Sequence, residues 1–172
     1  MDNIISRYCF IKEQYFLDHA NFIKMLDAGN ANKQSKRTHL CLKFEFNGNL
    51  IFVPLRNNLG KDVRPYGKIG YSVPSFKRPK AGLDYRYSLV INDINYIEYH
   101  NEPKLPKSQY DILEQKYNDI KSEVTTYITK YIKVAKKNRI HKEPLFRESS
   151  LINFHEELGI IDIIEDVAIT NE

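Results

Sequence analysis

Cysteine is almost absent from this 172-residue chain, which carries only Cys9 and Cys41. Neither has a CxxC partner or a nearby histidine cluster, so two buried thiols in a reduced, cytoplasmic setting are expected. No apolar run approaches a membrane span, since the longest, such as Leu50 to Leu55, are far too short. Asp2, Arg7, Lys12 and Glu13 interrupt the N-terminus too early for a signal-peptide pattern. The histidines at 19, 39, 100, 141 and 155 show no HExxH or other ligand-pair spacing. Acids are scattered, with no carboxylate cluster suited to paired magnesium ions. There is no P-loop, no dinucleotide fingerprint and no GxSxG. The chain is therefore expected to work without metal or cofactor.

What is present is a core and a charge asymmetry. Hydrophobic residues make up 42% and charged residues 28%, ordinary values for a globular protein, and one domain spanning 1–172 is expected. Residues 1–143 carry 25 Lys/Arg against 15 Asp/Glu, whereas residues 144–172 carry Arg147 alone against seven acids. A basic body with an acidic tail, over about 160–172, suits a polyanionic partner, because binding phosphates releases condensed counterions.

Periodicity gives the elements. Ile4 to Ile11 reads as a strand and about Lys12 to Leu26 as a helix, with Tyr15, Phe16, His19, Phe22, Ile23 and Leu26 at three- and four-residue spacing. Residues 27–32 read as a turn and Lys33 to Arg37 as a basic loop. Leu40, Leu42, Phe44 and Phe46 alternate with Cys41, Lys43 and Glu45, which marks a half-buried strand. Asn47-Gly48 is a type I′ hairpin turn, and Leu50 to Leu55 returns as a central strand. Pro54 donates no ladder bond, so pairing should fail there and the chain should leave the sheet at Arg56. Glycines and prolines through 57–84 imply a long irregular excursion. Arg86 to Ile91 and Tyr96 to His100 read as strands joined at Asn92-Asp93. A long helix follows from a Ser108 cap, its Tyr110, Leu113, Tyr117, Ile120, Val124, Tyr127, Tyr131 and Val134 stripe reading as core. A short helix spans Ser149 to Leu158, capped by Gly159.

Chemistry concentrates around Val53-Pro54-Leu55-Arg56-Asn57-Asn58. Arg56, Lys61, Arg64, Lys68, Lys77, Arg78, Lys80 and Arg86 are opposed only by Asp62 and Asp84, with Tyr66, Tyr71, Phe76, Tyr85 and Tyr87 interleaved. Cations that follow phosphates and rings that stack on unpaired bases are what single-stranded RNA requires. RNA also supplies its own nucleophile, the 2′-hydroxyl. In-line cleavage then needs a proton acceptor, a proton donor and cations at phosphorus. Arg56 and Arg37 fit a phosphate clamp, since a guanidinium bonds two oxygens at once. Asn57 and Asn58 would orient the scissile group, and His39 is expected beside Arg56 on the neighbouring strand. Lys33, Lys36, Lys130, Lys133 and Lys137 extend the basic surface.

Pro54-Leu55-Arg56-Asn57-Asn58 and Gly82-Leu83-Asp84-Tyr85-Arg86, together with the N-terminal strand and helix, the basic loop and the hairpin, resemble the ToxN/AbiQ group of type III toxin–antitoxin endoribonucleases. They look closer to its CptN and TenpN branches. The resemblance covers roughly Tyr8 through the long helix. It implies an α+β fold: a highly curved antiparallel sheet of SH3-like barrel type flanked by helices, one of them long and in the C-terminal half. It further implies metal-independent cleavage to 2′,3′-cyclic phosphate and 5′-hydroxyl ends, and inhibition by a repeated pseudoknot RNA that the toxin itself cuts into units. In ToxN, Thr-Ser follows Pro-Leu; here Arg56 and Asn57 occupy those places, so no hydroxyl is offered. Lys61 is the nearest following lysine, Arg37 or Lys36 matches an earlier one, and Tyr15 is one place from the family's N-terminal tyrosine. Proton transfer falls to Lys36, Lys61, His39 or Tyr15.

The expected partners are a small antitoxin RNA and cellular RNA substrates, in a protein–RNA hetero-oligomer, with no membrane. Two alternatives are a non-catalytic RNA- or DNA-binding module, and a MazF-like ribonuclease toxin with a protein antitoxin.

Overall fold

Apolar alternation on either side of Asn47-Gly48 forces two strands together, and the rest of the sheet assembles around that pair. A computed structural model describes residues 7–43, 48–59, 68–99 and 104–161. Strand β2 (His39–Lys43) pairs antiparallel with β3 (Leu50–Arg56), from His39 opposite Pro54 to Lys43 opposite Leu50. Gly48 takes φ +69°, the left-handed conformation that a tight hairpin turn demands and that glycine adopts without steric cost. The turn residues 44–47 lie outside the described residues.

β1 (Tyr8–Ile11) adds to the free edge of β2, and β7 (Ile97–Tyr99) adds to β1. On the other side β3 has two successive partners. Ile51 and Phe52 pair with β6 (Leu89–Val90), while Leu55 and Arg56 pair with β5 (Gly82–Asp84), which in turn carries β4 (Gly70–Ser72). The result is a seven-stranded antiparallel sheet in the order β4-β5-β3-β2-β1-β7, with β6 on β3. Its two ends do not pair among the described residues. The α+β class is as expected, but the sheet is not closed into a barrel.

Pairing does not fail at Pro54. Leu55 N–H donates to Thr38 at 3.0 Å, so alternation along the strand turns the Pro54 nitrogen toward the opposite edge. That edge is where β6 has ended and β5 has not begun. The missing donor therefore falls at a junction where none is needed. Gly82 marks the other side of this junction. A Cβ there would meet the Tyr71 carbonyl oxygen at 2.3 Å and Leu59 Cδ1 at 2.4 Å, so only glycine fits.

Helices differ more from expectation. α1 (Glu13–Asp18) stops well short of Leu26, and Lys24 and Asp27 both take φ 55°. The aromatic residues still pack as a group, Tyr15 meeting Phe16, His19, Phe22 and Tyr96 edge-on or tilted. The expected basic loop is largely helical: α2 (Ala31–Ser35) starts at Asn30, whose side chain accepts from Lys33 N–H. In the C-terminal half, α3 (Lys107–Gln115) follows Pro106 rather than a Ser108 cap. The path then kinks at Lys116 into α4 (Tyr117–Ala135). Hydrogen bonds from Lys116 N to Ile112 and from Ile120 N to Lys116 carry the ladder across this point, both at 2.9 Å.

Ile120, Val124, Tyr127, Ile128 and Tyr131 of α4 are buried in one core with the sheet. Polar pins fix the packing: Tyr8 Oη donates to Glu114 at 2.6 Å, Tyr85 Oη to Glu123 at 2.6 Å, and Gln109 Nε2 to the Val73 carbonyl at 2.7 Å. The expected helix at 149–158 is a short 3-10 turn, Ser150–Phe154, whose Ser150 hydroxyl donates to Ser88 at 2.6 Å and clamps the segment before β6. Both cysteines are buried and free. Among the described residues no helix is long and apolar enough to cross a membrane.

Candidate nucleic-acid interface

Side chains alternate along β3, and this divides the basic residues into two groups. Arg56 projects to one side. Its Nη1 donates to Asp84 Oδ2 at 2.8 Å, and its guanidinium lies 5.5 Å from the Tyr87 ring centre. Arg86 holds the same carboxylate through Nε to Oδ1 at 3.0 Å and Nη2 to Oδ2 at 2.9 Å, and it too lies 5.5 Å from Tyr87. Asp84 has no exposed surface, and the Arg56 side chain keeps 26% of its own. Two guanidiniums on one carboxylate leave a net positive cluster at the strand exit, rigid because a buried charge is stable only when paired.

Leu55 and Asn57 project the other way, into an open cleft of about 300 Å³. Its walls include Lys33, Lys36, Arg37, Arg78 and Lys104, with Phe10, Thr38, Leu105, Pro106 and Gln109 completing them, and no acid among the lining residues. Asp27, just behind, bonds Arg37 Nη2 at 2.6 Å and Lys33 Nζ at 2.7 Å, which lowers its own carboxyl against the opposing effect of burial. Arg37 Nη1 donates to the Leu55 carbonyl at 3.0 Å, tying the loop after α2 to β3. A second hollow of about 460 Å³ continues the surface, sharing Phe10, Lys36 and Lys104 and adding Lys12, Glu13, Ser35 and Glu98. The cleft thus has walls from β1 on one flank of the sheet and from the β4–β5 hairpin on the other.

The structure separates the expected site residues. Lys33, Lys36, Arg37, Asn57 and Arg78 come together at the cleft, and Asn58 is exposed beside it. Arg56 is near in sequence but faces Asp84. Lys77 and Lys80 are exposed on the hairpin, and Lys130, Lys133 and Lys137 are exposed at the end of α4. Lys68 is exposed and bonds Glu123 at 2.5 Å. Lys61, Arg64 and Tyr66 lie outside the described residues, as does His100.

Three expected residues are core side chains instead. His39 sits opposite Pro54, not Arg56, and is buried with its Nδ1 at 2.9 Å from the Arg37 carbonyl. Burial pushes its pKa down to about 4, so the ring is neutral. Tyr15 is buried, with its hydroxyl raised above the ordinary tyrosine range, chiefly by desolvation. Tyr85 is completely buried and raised further, by desolvation and then by its bond to Glu123. None of these offers a face to a base or a proton to a surface ligand.

Lys104 and Asp84 are the residues that sequence reading missed. Lys104 follows β7 with nothing local to mark it, and only the fold brings it to the cleft. Asp84 is one of only two acids, with Asp62, among eight cations, which is itself a signal of pairing.

Comparison with family models and with curated proteins gives no match. Among solved structures, the chain is similar to one from work on bacterial type III toxin–antitoxin systems and selective toxin inhibition by a non-coding RNA pseudoknot. The identity is 13%, covering 96% of this chain and 81% of that one, with a TM-score of 0.41. A superposition this loose fixes neither a shared fold nor a shared activity.

Proposed function

We propose that this chain is the toxin of a type III toxin–antitoxin system, a metal-independent endoribonuclease restrained by a pseudoknot RNA that it also processes. The observation that carries this reading is the cleft beside β3, where five cationic side chains and the Asn57 amide surround a hollow whose lining contains no carboxylate. Asp27 offsets part of this charge from behind, through Lys33 and Arg37; repulsion among the remaining cations is relieved when phosphates enter, and association gains further from counterion release. The Pro54 to Asn58 and Gly82 to Arg86 segments, which carry the sequence resemblance, meet in the structure as the β3–β5 pair and its exits.

In this reading the RNA backbone follows the cleft and the scissile phosphate approaches the β3 exit. The ribose 2′-oxygen loses its proton to a base and bonds to phosphorus. The bond from phosphorus to the 5′-oxygen breaks, and that oxygen takes up a proton. The cleft cations hold the flanking phosphates, while Arg56, fixed by Asp84 on the other side of β3, meets the scissile phosphate where the RNA rounds the strand exit and stabilises its extra negative charge in the transition state. His39 and Tyr15 serve as structural side chains, which leaves Lys36 and Lys61 as the candidates for proton transfer. The activity belongs to a single domain over 1–172, working in the cytoplasm and assembled with its RNA into a hetero-oligomer.

Incubating purified protein with RNA in EDTA and mapping the product ends tests the proposal. Fragments with 2′,3′-cyclic phosphate and 5′-hydroxyl termini are expected. Tight binding with intact RNA would instead favour a non-catalytic module using the same surface.

A further inference from the structure

Four aromatic residues are interleaved with the cations between Arg56 and Arg86 and Tyr87 follows them, and the structure separates the five. Tyr85 is buried, Tyr71 packs partly against the core, and Tyr87 lies 5.5 Å from each of two guanidiniums. Tyr66 is outside the described residues. Phe76 alone of the described four is fully exposed, at 101% of its reference surface.

Its setting is rigid. Ser75 and Arg78 exchange two backbone hydrogen bonds of 3.1 Å, so Phe76 and Lys77 form the tip of a closed turn. The stem is fastened on three sides, by Val73 N to the Ala81 carbonyl at 2.9 Å, Leu59 N to the Lys80 carbonyl at 2.9 Å, and Gln109 Nε2 to the Val73 carbonyl at 2.7 Å. Lys77, Arg78 and Lys80 are exposed on the same turn, and Arg78 is itself a wall of the cleft. The backbone that carries Phe76 is thus ordered before any ligand arrives, so stacking costs only the rotamer freedom of the ring itself.

We infer that Phe76 is a stacking platform for one unpaired base of the RNA whose phosphates occupy the cleft, and so sets the position of the strand relative to the β3 exit. This rests on the reading of the cleft as an RNA site. Flanking cations favour a polyanion over an apolar protein surface, and a phenyl face accepts any base, so the platform gives position more than sequence selectivity.

The chain contains no tryptophan, so Phe76→Trp places a single indole at the tip, excited selectively over the tyrosines at long wavelength. Titrating that variant with a short single-stranded RNA should quench its emission in step with binding. Phe76→Ala should weaken affinity about 5- to 100-fold, with the salt dependence unchanged, because phosphate contacts remain. An RNA carrying one abasic position at the stacked nucleotide should lose affinity for the parent protein but not for Phe76→Ala. If RNA binds in a manner sensitive to Lys36→Ala and Lys104→Ala, yet tryptophan emission is unchanged and Phe76→Ala binds normally, the platform is overturned and the cleft stands. If the unmodified protein binds no RNA, both are overturned.

Discussion

The Arg56 guanidinium meets Asp84 at 2.8 Å, and Asp84 is wholly buried while Arg56 is not. The pair therefore joins the interior to the surface at the point where β3 ends. A guanidinium held in this way has lost most of its rotational freedom before any ligand arrives.

Replacing Asp84 with Ala or Asn should be the most damaging single change at this site. It strands Arg56 and the largely buried Arg86 without their counter-charge, at a cost of about 3–5 kcal/mol. Urea unfolding followed by circular dichroism checks this, and a loss under about 1 kcal/mol would mean the cluster contributes little.

Arg56→Ala should leave a folded protein but reduce RNA cleavage by about 100-fold or more, the scale expected when one preorganised charge donor is lost from a transition state. Growth inhibition on expression should disappear with it. Full toxicity from a folded Arg56→Ala protein would remove this side chain from the mechanism.

Removing three cleft cations together, by Lys36→Ala, Arg78→Ala and Lys104→Ala, should weaken RNA binding and flatten its salt dependence. Each lost phosphate contact lowers the slope of log affinity against log salt by about 0.7 for a single strand, so a change of about 2 is expected. An unchanged slope would place the RNA elsewhere.

His39 predicts a specific acid sensitivity. Its folded pKa, about 4, lies below its ordinary value of 6.5, so the unfolded chain binds the extra proton first as pH falls. Stability should be flat above about pH 6.5 and decline toward pH 4, by up to about 3 kcal/mol from this group. A His39→Gln variant should lose that part of the decline. Equal acid sensitivity in the variant would assign it to other groups.

The hairpin, the core stripe of α4 and the α+β class were legible because each depends on local periodicity. The reach of α1 was not, since Phe22 and Leu26 keep helical spacing while Lys24 and Asp27 adopt positive φ to pack against other elements. Nor was α2, whose cap at Asn30 sits among residues that otherwise read as a turn. Pro54 pointed to an exit because a missing donor normally ends a ladder, and only the change of partners along β3 explains its tolerance. At the site, the cationic residue types were readable but their orientation was not. Strand alternation sends Arg56 and Asn57 to opposite sides, and His39 inward, a distinction that depends on register.

Among the described residues the ends of the sheet do not pair, and the cationic hollow takes walls from both flanks. Strand twist therefore acts as a caliper on the distance across the opening. A ligand whose charged groups are spaced to match that gauge will seat without bending the protein, while one of different pitch must deform the entire β framework to be gripped.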